Sequence, residues 1–128
     1  MPGIWLIMSG FFGATAVGAG AYGWHALGED DAVRNIFMMG VDYQMWHALA
    51  LLGVSWIAAR PELSTSRLPL YAGIAFSLGI LLFSGTLYLF CVLGYVVIDG
   101  VAPSGGFLMM AGWAVMILCG WKTRKKTP

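Results

Sequence analysis

Long apolar stretches alternate with short polar breaks along the whole chain. Four stand out, at residues 4–24, 43–59, 68–93 and 105–121, and none contains Asp, Glu, Lys or Arg. At a rise of about 1.5 Å per residue, each is about long enough to cross a hydrocarbon core of ~30 Å. Inside a bilayer every backbone N–H and C=O must be paired within the protein, so spans are helices or closed barrels. Barrel strands alternate apolar and polar side chains; residues 78–93 show no such alternation. The pattern predicts an all-α fold, a four-transmembrane-helix bundle forming one integral membrane domain over residues 1–128.

The breaks refine this picture. After Gly28 come Glu29, Asp30 and Asp31, acidic residues suited to a helix N-terminus. Val33, Ile36, Phe37 and Gly40 then share one face, which predicts a short amphipathic surface helix between the first and second spans. Arg60-Pro61 ends the second span, because proline disfavours helix at the residue before it. Pro69 suits the first turn of the third helix, and Gly100 and Pro103 break the chain before the fourth. The first span lacks a basic leader and is longer than a signal-peptide core, so it reads as a retained helix.

Charge sets the orientation. Of seven Lys and Arg residues, only Arg34 lies in the first break. Arg60 and Arg67 lie in the second, and Lys122, Arg124, Lys125 and Lys126 fall in a basic tail over residues 122–128. With both termini cytoplasmic, six of the seven are inside, in line with the positive-inside rule. The tail reads as a topology anchor facing anionic lipid. A net charge of +1 gives no ground for a nucleic-acid partner. On this topology Cys91 lies near the outer end of the third span and Cys119 near the inner end of the fourth, too far apart for a disulfide.

Two residue sets invite a role. In the first span Gly10, Ala14, Gly18 and Ala21 recur every three or four positions. Such a stripe lets helices approach closely in lipid, which predicts intramolecular packing, with a subunit interface as the alternative. On that reading Gly18→Leu disrupts the bundle more than Gly53→Leu. The second set is polar: His25, Tyr43, Gln44, His47, Ser84 and Tyr88 all fall toward the outer end of the bundle. Polar side chains at membrane depth are costly unless paired. Four readings fit them: a hydrogen-bonded network tying helices together, a quinone or other small-molecule site, a haem or metal site, or a protein contact. His25 ends one helix and His47 begins another, so the two are expected within reach of one bridging group, and two histidines suit axial haem ligands. A zinc or copper site would want a third ligand, and Asp42, the nearest carboxylate, points away from Tyr43. No catalytic or phosphate-binding motif accompanies them.

Four segments resemble a known family: Gly23-Trp24-His25-Ala26-Leu27, the run from Val41 to Ala50, Leu82-Phe83-Ser84-Gly85-Thr86-Leu87-Tyr88-Leu89, and Pro103-Ser104-Gly105-Gly106 followed by Gly112-Trp113. The chain resembles the domain of unknown function 423 family, also described as transmembrane protein 256 or YgdD-like. Members often carry Ala-His-Gly where this chain has Trp24-His25-Ala26. The resemblance implies a four-helix inner-membrane protein without an established activity. Small size and the absence of a catalytic motif point to a non-enzymatic accessory or assembly subunit, whose partners are the bilayer and other membrane subunits and which needs no cofactor. The alternative is a redox or lipid-ligand protein holding quinone or haem at the polar cluster.

Overall fold

The computed structural model describes residues 1–126 and is helical throughout, with no strand among the described residues. Helix α1 runs Pro2–His25, α2 Asp31–Ala58, α3 Leu68–Leu93 and α4 Val101–Lys126, and a single 3-10 turn, Pro61–Leu63, joins α2 to α3. Three of them, α1, α3 and α4, are long and apolar enough to cross a membrane.

The helix ends follow from local chemistry. Pro2 and Pro69 sit in first turns, where a missing N–H costs nothing. Asp30 caps α2, its side chain accepting from the N–H groups of Ala32 and Val33 at 2.9 and 3.3 Å. Gly94 ends α3 with φ of 82°, a left-handed turn that glycine makes without a Cβ penalty. Arg34 does the work of a C-cap for α1. It lies over the Trp24 ring, and its guanidinium donates to the carbonyls of Gly23 and Gly28 while pairing with Asp31. A cation over the last carbonyls of a helix complements the dipole there.

Neighbouring helices run antiparallel. Gly23 of α1 lies against Phe37 of α2 and Gly20 against Val41, and the Ser55 hydroxyl donates to the Pro2 carbonyl at 2.8 Å. Helix α2 meets α3 where Gly40 takes the edge of the Tyr88 ring. Helices α3 and α4 make the closest approach, where Gly105 abuts the backbone at Leu82 and Phe83, Gly79 faces Met109, and Gly112 seats the Phe76 ring. Trp5 of α1 reaches across to Gly73 of α3, so the outer helices clasp a central α2–α3 pair. The main core runs through Trp5, Phe12, Leu51, Val54, Phe76 and Met109, and Leu63 of the 3-10 turn closes a smaller cluster with Ile57 and Cys119.

Several expectations change. The amphipathic segment after Gly28 is not a separate surface helix: it is the first third of α2, which continues unbroken through Tyr43. No glycine or proline interrupts the helix there except Gly40, which is held against Tyr88. The stripe Gly10, Ala14, Gly18 and Ala21 is exposed and packs nothing within the chain, and a Cβ at Gly10 or Gly18 meets no atom within 4 Å. The α1 face that packs is instead Trp5, Ser9, Phe12, Ala16 and Gly23. Bulky rings there fill the α2–α3 groove, and the small residues are left on the outside. The close glycine packing belongs to α3 and α4. The basic tail is also helical: α4 carries Lys122, Arg124 and Lys125, with the Lys125 ammonium 3.6 Å from the centre of the Trp121 ring. Thr127, Pro128 and the side chain of Lys126 lie outside the described residues. Cys91 and Cys119 are free thiols.

The glycine geometry removes the ground for ranking Gly18→Leu above Gly53→Leu, since a Cβ at Gly18 meets no atom within 4 Å and one at Gly53 meets only Met116 Cε at 3.6 Å, and it moves the tight contact to Gly105. Gly105→Ala should lower the thermal stability of the detergent-solubilised protein by about 1–3 kcal/mol, as overpacking does, because its new methyl meets the Phe83 backbone. Gly18→Ala should leave the midpoint unchanged. Equal losses from the two would contradict this packing.

Candidate functional site

The six polar candidates do not form one cluster. They divide into two hydrogen-bonded junctions and an outlier. The first junction centres on Gln44, which α2 turns into the groove between α1 and α3 and which is only 5% exposed. Its amide nitrogen donates to the Phe12 carbonyl at 3.0 Å and to the Thr15 hydroxyl at 2.8 Å. Its amide oxygen accepts from the Tyr88 hydroxyl at 2.7 Å. A backbone carbonyl only accepts, so the amide group facing Phe12 must be the NH2, which fixes the orientation of the side chain. One side chain thus ties three helices.

Ser84 lies one turn away and is fully buried. Its hydroxyl donates to the Gly40 carbonyl at 2.6 Å, a second tie between α3 and α2. Gly40 serves both junction partners, seating the Tyr88 ring and exposing its carbonyl to Ser84. Phe37 closes the top of this junction with its ring centre 4.7 Å from that of Tyr88. Ser77, further down α3, is buried, and its hydroxyl has no hydrogen-bond partner among the described residues.

The second junction centres on His47, which faces α4. Its Nδ1 lies 2.7 Å from the Tyr43 carbonyl one turn back, and its Nε2 lies 3.0 Å from the indole nitrogen of Trp113. Indole only donates and a carbonyl only accepts. The ring is therefore the neutral Nδ1–H tautomer, donating a hydrogen bond to the Tyr43 carbonyl and accepting one at Nε2 from the Trp113 indole. Phe76 packs on both rings, 5.6 Å from His47 and 5.0 Å from Trp113 between centres. Tyr43 contributes its ring here, 4.8 Å from Phe83 and 6.0 Å from His47, rather than joining Gln44.

His25 is the outlier. It is exposed at the end of α1. Because Gly23 lies opposite Phe37, His25 is level with about residue 35 of α2. His47 is then about twelve residues further along, roughly 18 Å down the axis. The shared-histidine site is thereby removed. Bis-histidine haem ligation does not fit, since the two imidazoles are on different levels and both nitrogens of His47 are engaged. Among the described residues no group of three His, Cys, Asp or Glu side chains comes together to hold a metal.

The bonding roles of Thr15, Trp113 and Arg34 escaped the sequence reading. Thr15 lay inside a Gly/Ala-rich stretch, Trp113 entered only as part of a family segment, and Arg34 only as a charge in the first break. The signal for Trp113 was its place after Gly112, the glycine that lets Phe76 reach the same level.

Gln44→Leu should cost about 1–3 kcal/mol in detergent unfolding, because it strands the Tyr88 hydroxyl. A double-mutant cycle of His47→Leu and Trp113→Phe should give a coupling of about 0.6 kcal/mol, up to roughly 1.7, the range seen for hydrogen bonds between membrane helices. Strict additivity would show that the Trp113–His47 bond contributes nothing.

Comparison with known proteins places these junctions in a family. The chain matches the family described as Protein of unknown function (DUF423) over residues 19–106. It is 30% identical over 121 residues to UPF0382 membrane protein SH2409 of Staphylococcus haemolyticus, covering 93% of this chain and 96% of that one. It is 31% identical to UPF0382 membrane protein YwdK of Bacillus subtilis, covering 93% and 97%, and 30% identical to UPF0382 inner membrane protein YgdD of Escherichia coli K12, covering 94% and 92%. No solved structure matches. The matched region contains Gln44, His47, Ser84 and Tyr88, and the chain belongs to the DUF423 family of membrane proteins.

Proposed function

We propose that this protein is a four-span bundle, a single integral membrane domain of the bacterial inner membrane, with both termini cytoplasmic. It acts as a non-enzymatic accessory or assembly subunit of a larger membrane complex. The fourth span is α2. It packs antiparallel to α1 from Phe37 to Ser55 and lies between two helices long enough to cross. Where α1 and α3 cross, α2 crosses with them. Arg60, Arg67, Lys122, Arg124 and Lys125 then share one end of the bundle, the end the positive-inside rule assigns to the cytoplasm.

The observation that carries the non-enzymatic reading is the state of the polar side chains. Gln44, His47, Ser84 and Tyr88 all engage in bonds that hold helix to helix. A catalytic acid, base or nucleophile needs reach to a reacting group. Here the polar atoms face one another, and their role is to specify one packing. What remains for partners is the outer surface, including the uncovered Gly and Ala residues of α1.

A reporter active only in the cytoplasm, fused after Pro128, should be active, and one active only after export should be silent at that position. Extraction of native membranes in a mild detergent should bring the tagged protein out in a complex of fixed stoichiometry. Recovery as a lone monodisperse protein would remove the subunit role and leave the topology standing.

A further inference from the structure

A cleft of about 320 Å³ opens between α1 and α3, directly over the Gln44 junction. Its walls are Phe11, Ala19, Ile80, Leu81 and Gly85, and Thr15, Gln44 and Tyr88 supply its polar part. Cavities of this size have room for roughly ten water-sized groups. Its mouth lies between two spanning helices, so whatever enters comes from the lipid phase.

The donors of this polar part can be counted completely. The two amide protons of Gln44 go to the Phe12 carbonyl and the Thr15 hydroxyl. The Thr15 proton goes to the Phe11 carbonyl at 2.9 Å, and the Tyr88 proton goes to Gln44 Oε1. No donor is left. Lone pairs are left: the second one on Gln44 Oε1, the second one on the Thr15 oxygen, and those on the Tyr88 oxygen. The cleft is thus apolar with an acceptor-only spot. Such a spot rejects a ligand that itself only accepts, including the carbonyl of a bare quinone, and pairs with one that donates.

We propose that this cleft binds a membrane-dissolved amphiphile with a hydroxyl headgroup on an apolar chain, the hydroxyl donating to Gln44 Oε1 or to the Tyr88 oxygen and the chain lying along Leu81 and Gly85. The proposal rests on the membrane placement of α1 and α3 and is independent of the subunit role. Gly85 supplies a clean test, because a Cβ there meets no atom within 4 Å. Gly85→Leu therefore fills the cleft without disturbing the hydrogen bonds behind it.

The protein would be reconstituted in phosphatidylcholine nanodiscs, whose lipid has no hydroxyl or ammonium donor to compete. Binding of tritiated farnesol would be measured by scintillation proximity, with farnesyl methyl ether and farnesal as competitors. The ether and the aldehyde share the chain but cannot donate. Farnesol should bind saturably, and both competitors should be roughly 3- to 10-fold weaker, the worth of one net hydrogen bond. Gly85→Leu should abolish binding while leaving the unfolding midpoint of the empty protein unchanged. Equal affinity for alcohol and ether would overturn the acceptor spot. Binding that survives Gly85→Leu would place the ligand elsewhere, and absence of saturable farnesol binding would remove the site. None of these outcomes bears on whether the protein co-purifies with a partner.

Discussion

The amide of Gln44 is the interaction on which the arrangement of the first three helices depends. In lipid the helices gain little from burying apolar surface against one another, because the surrounding tails are equally apolar. What distinguishes one packing from its neighbours is then the matching of the few polar groups. Gln44 of α2 presents two donors and one acceptor in a plane, and two neighbouring helices supply the complements: the Phe12 carbonyl and Thr15 hydroxyl from α1, and the Tyr88 hydroxyl from α3. A slip of α1 along α2 by one turn would move Phe12 and Thr15 out of reach and leave a buried amide unpaired. The penalty for such an orphan, about 1–3 kcal/mol, is large beside the small differences among apolar packings.

The fourth helix is held by a different device. Between α3 and α4 the backbones approach closely because Gly79, Gly105 and Gly112 remove side chains at the contact. This gains dispersion contact over a long seam but discriminates registers less sharply than a hydrogen bond does. The Trp113–His47 bond supplies that discrimination, reaching from α4 to α2 past Phe76. It also fixes a protonation state. A doubly protonated imidazole would present N–H to indole N–H, so the junction holds only with His47 neutral.

Much of this was legible in the sequence, and the failures have physical causes. The third span, 68–93, coincides with α3 because Arg67 and Gly94 bound an uninterrupted apolar run. The cap at Asp30 was readable from its acidic neighbours. The identity of the polar residues was readable too, since so few occur at depth. Their grouping was not, because side chains three and four apart on α2 look like one face in a helical projection. In the bundle they serve different neighbours, α1 and α3 for Gln44, α4 for His47. The break between surface helix and span failed for a related reason. Polarity changes at Asp42, but α2 keeps its hydrogen-bond ladder straight through it. The α1 stripe failed because spacing identifies a face and not what lies opposite it: the groove between α2 and α3 accepted Trp5 and Phe12, and the opposite face was left bare.

Asp42 shows how the bundle can be set in its bilayer. It is the one charged residue between Arg34 and Arg60, and it is exposed on the outward stripe of α2 with Met39 and Trp46 on either side. A carboxylate facing hydrocarbon at the bilayer centre would be costly. With α2 as the fourth span and both termini cytoplasmic, as proposed above, Ala59 marks the inner end, and seventeen residues at about 1.5 Å put Asp42 roughly 26 Å up the helix, near the outer edge of a core of ~30 Å. Side chains in a helix lean toward its N-terminus, which for α2 is the outer end, so this carboxylate leans toward the headgroups. On that setting the Gln44 and Ser84 ties lie just within the hydrocarbon, and His47 and Trp113 lie deeper. Water is then excluded from both junctions, which raises the cost of leaving any of their polar groups unpaired.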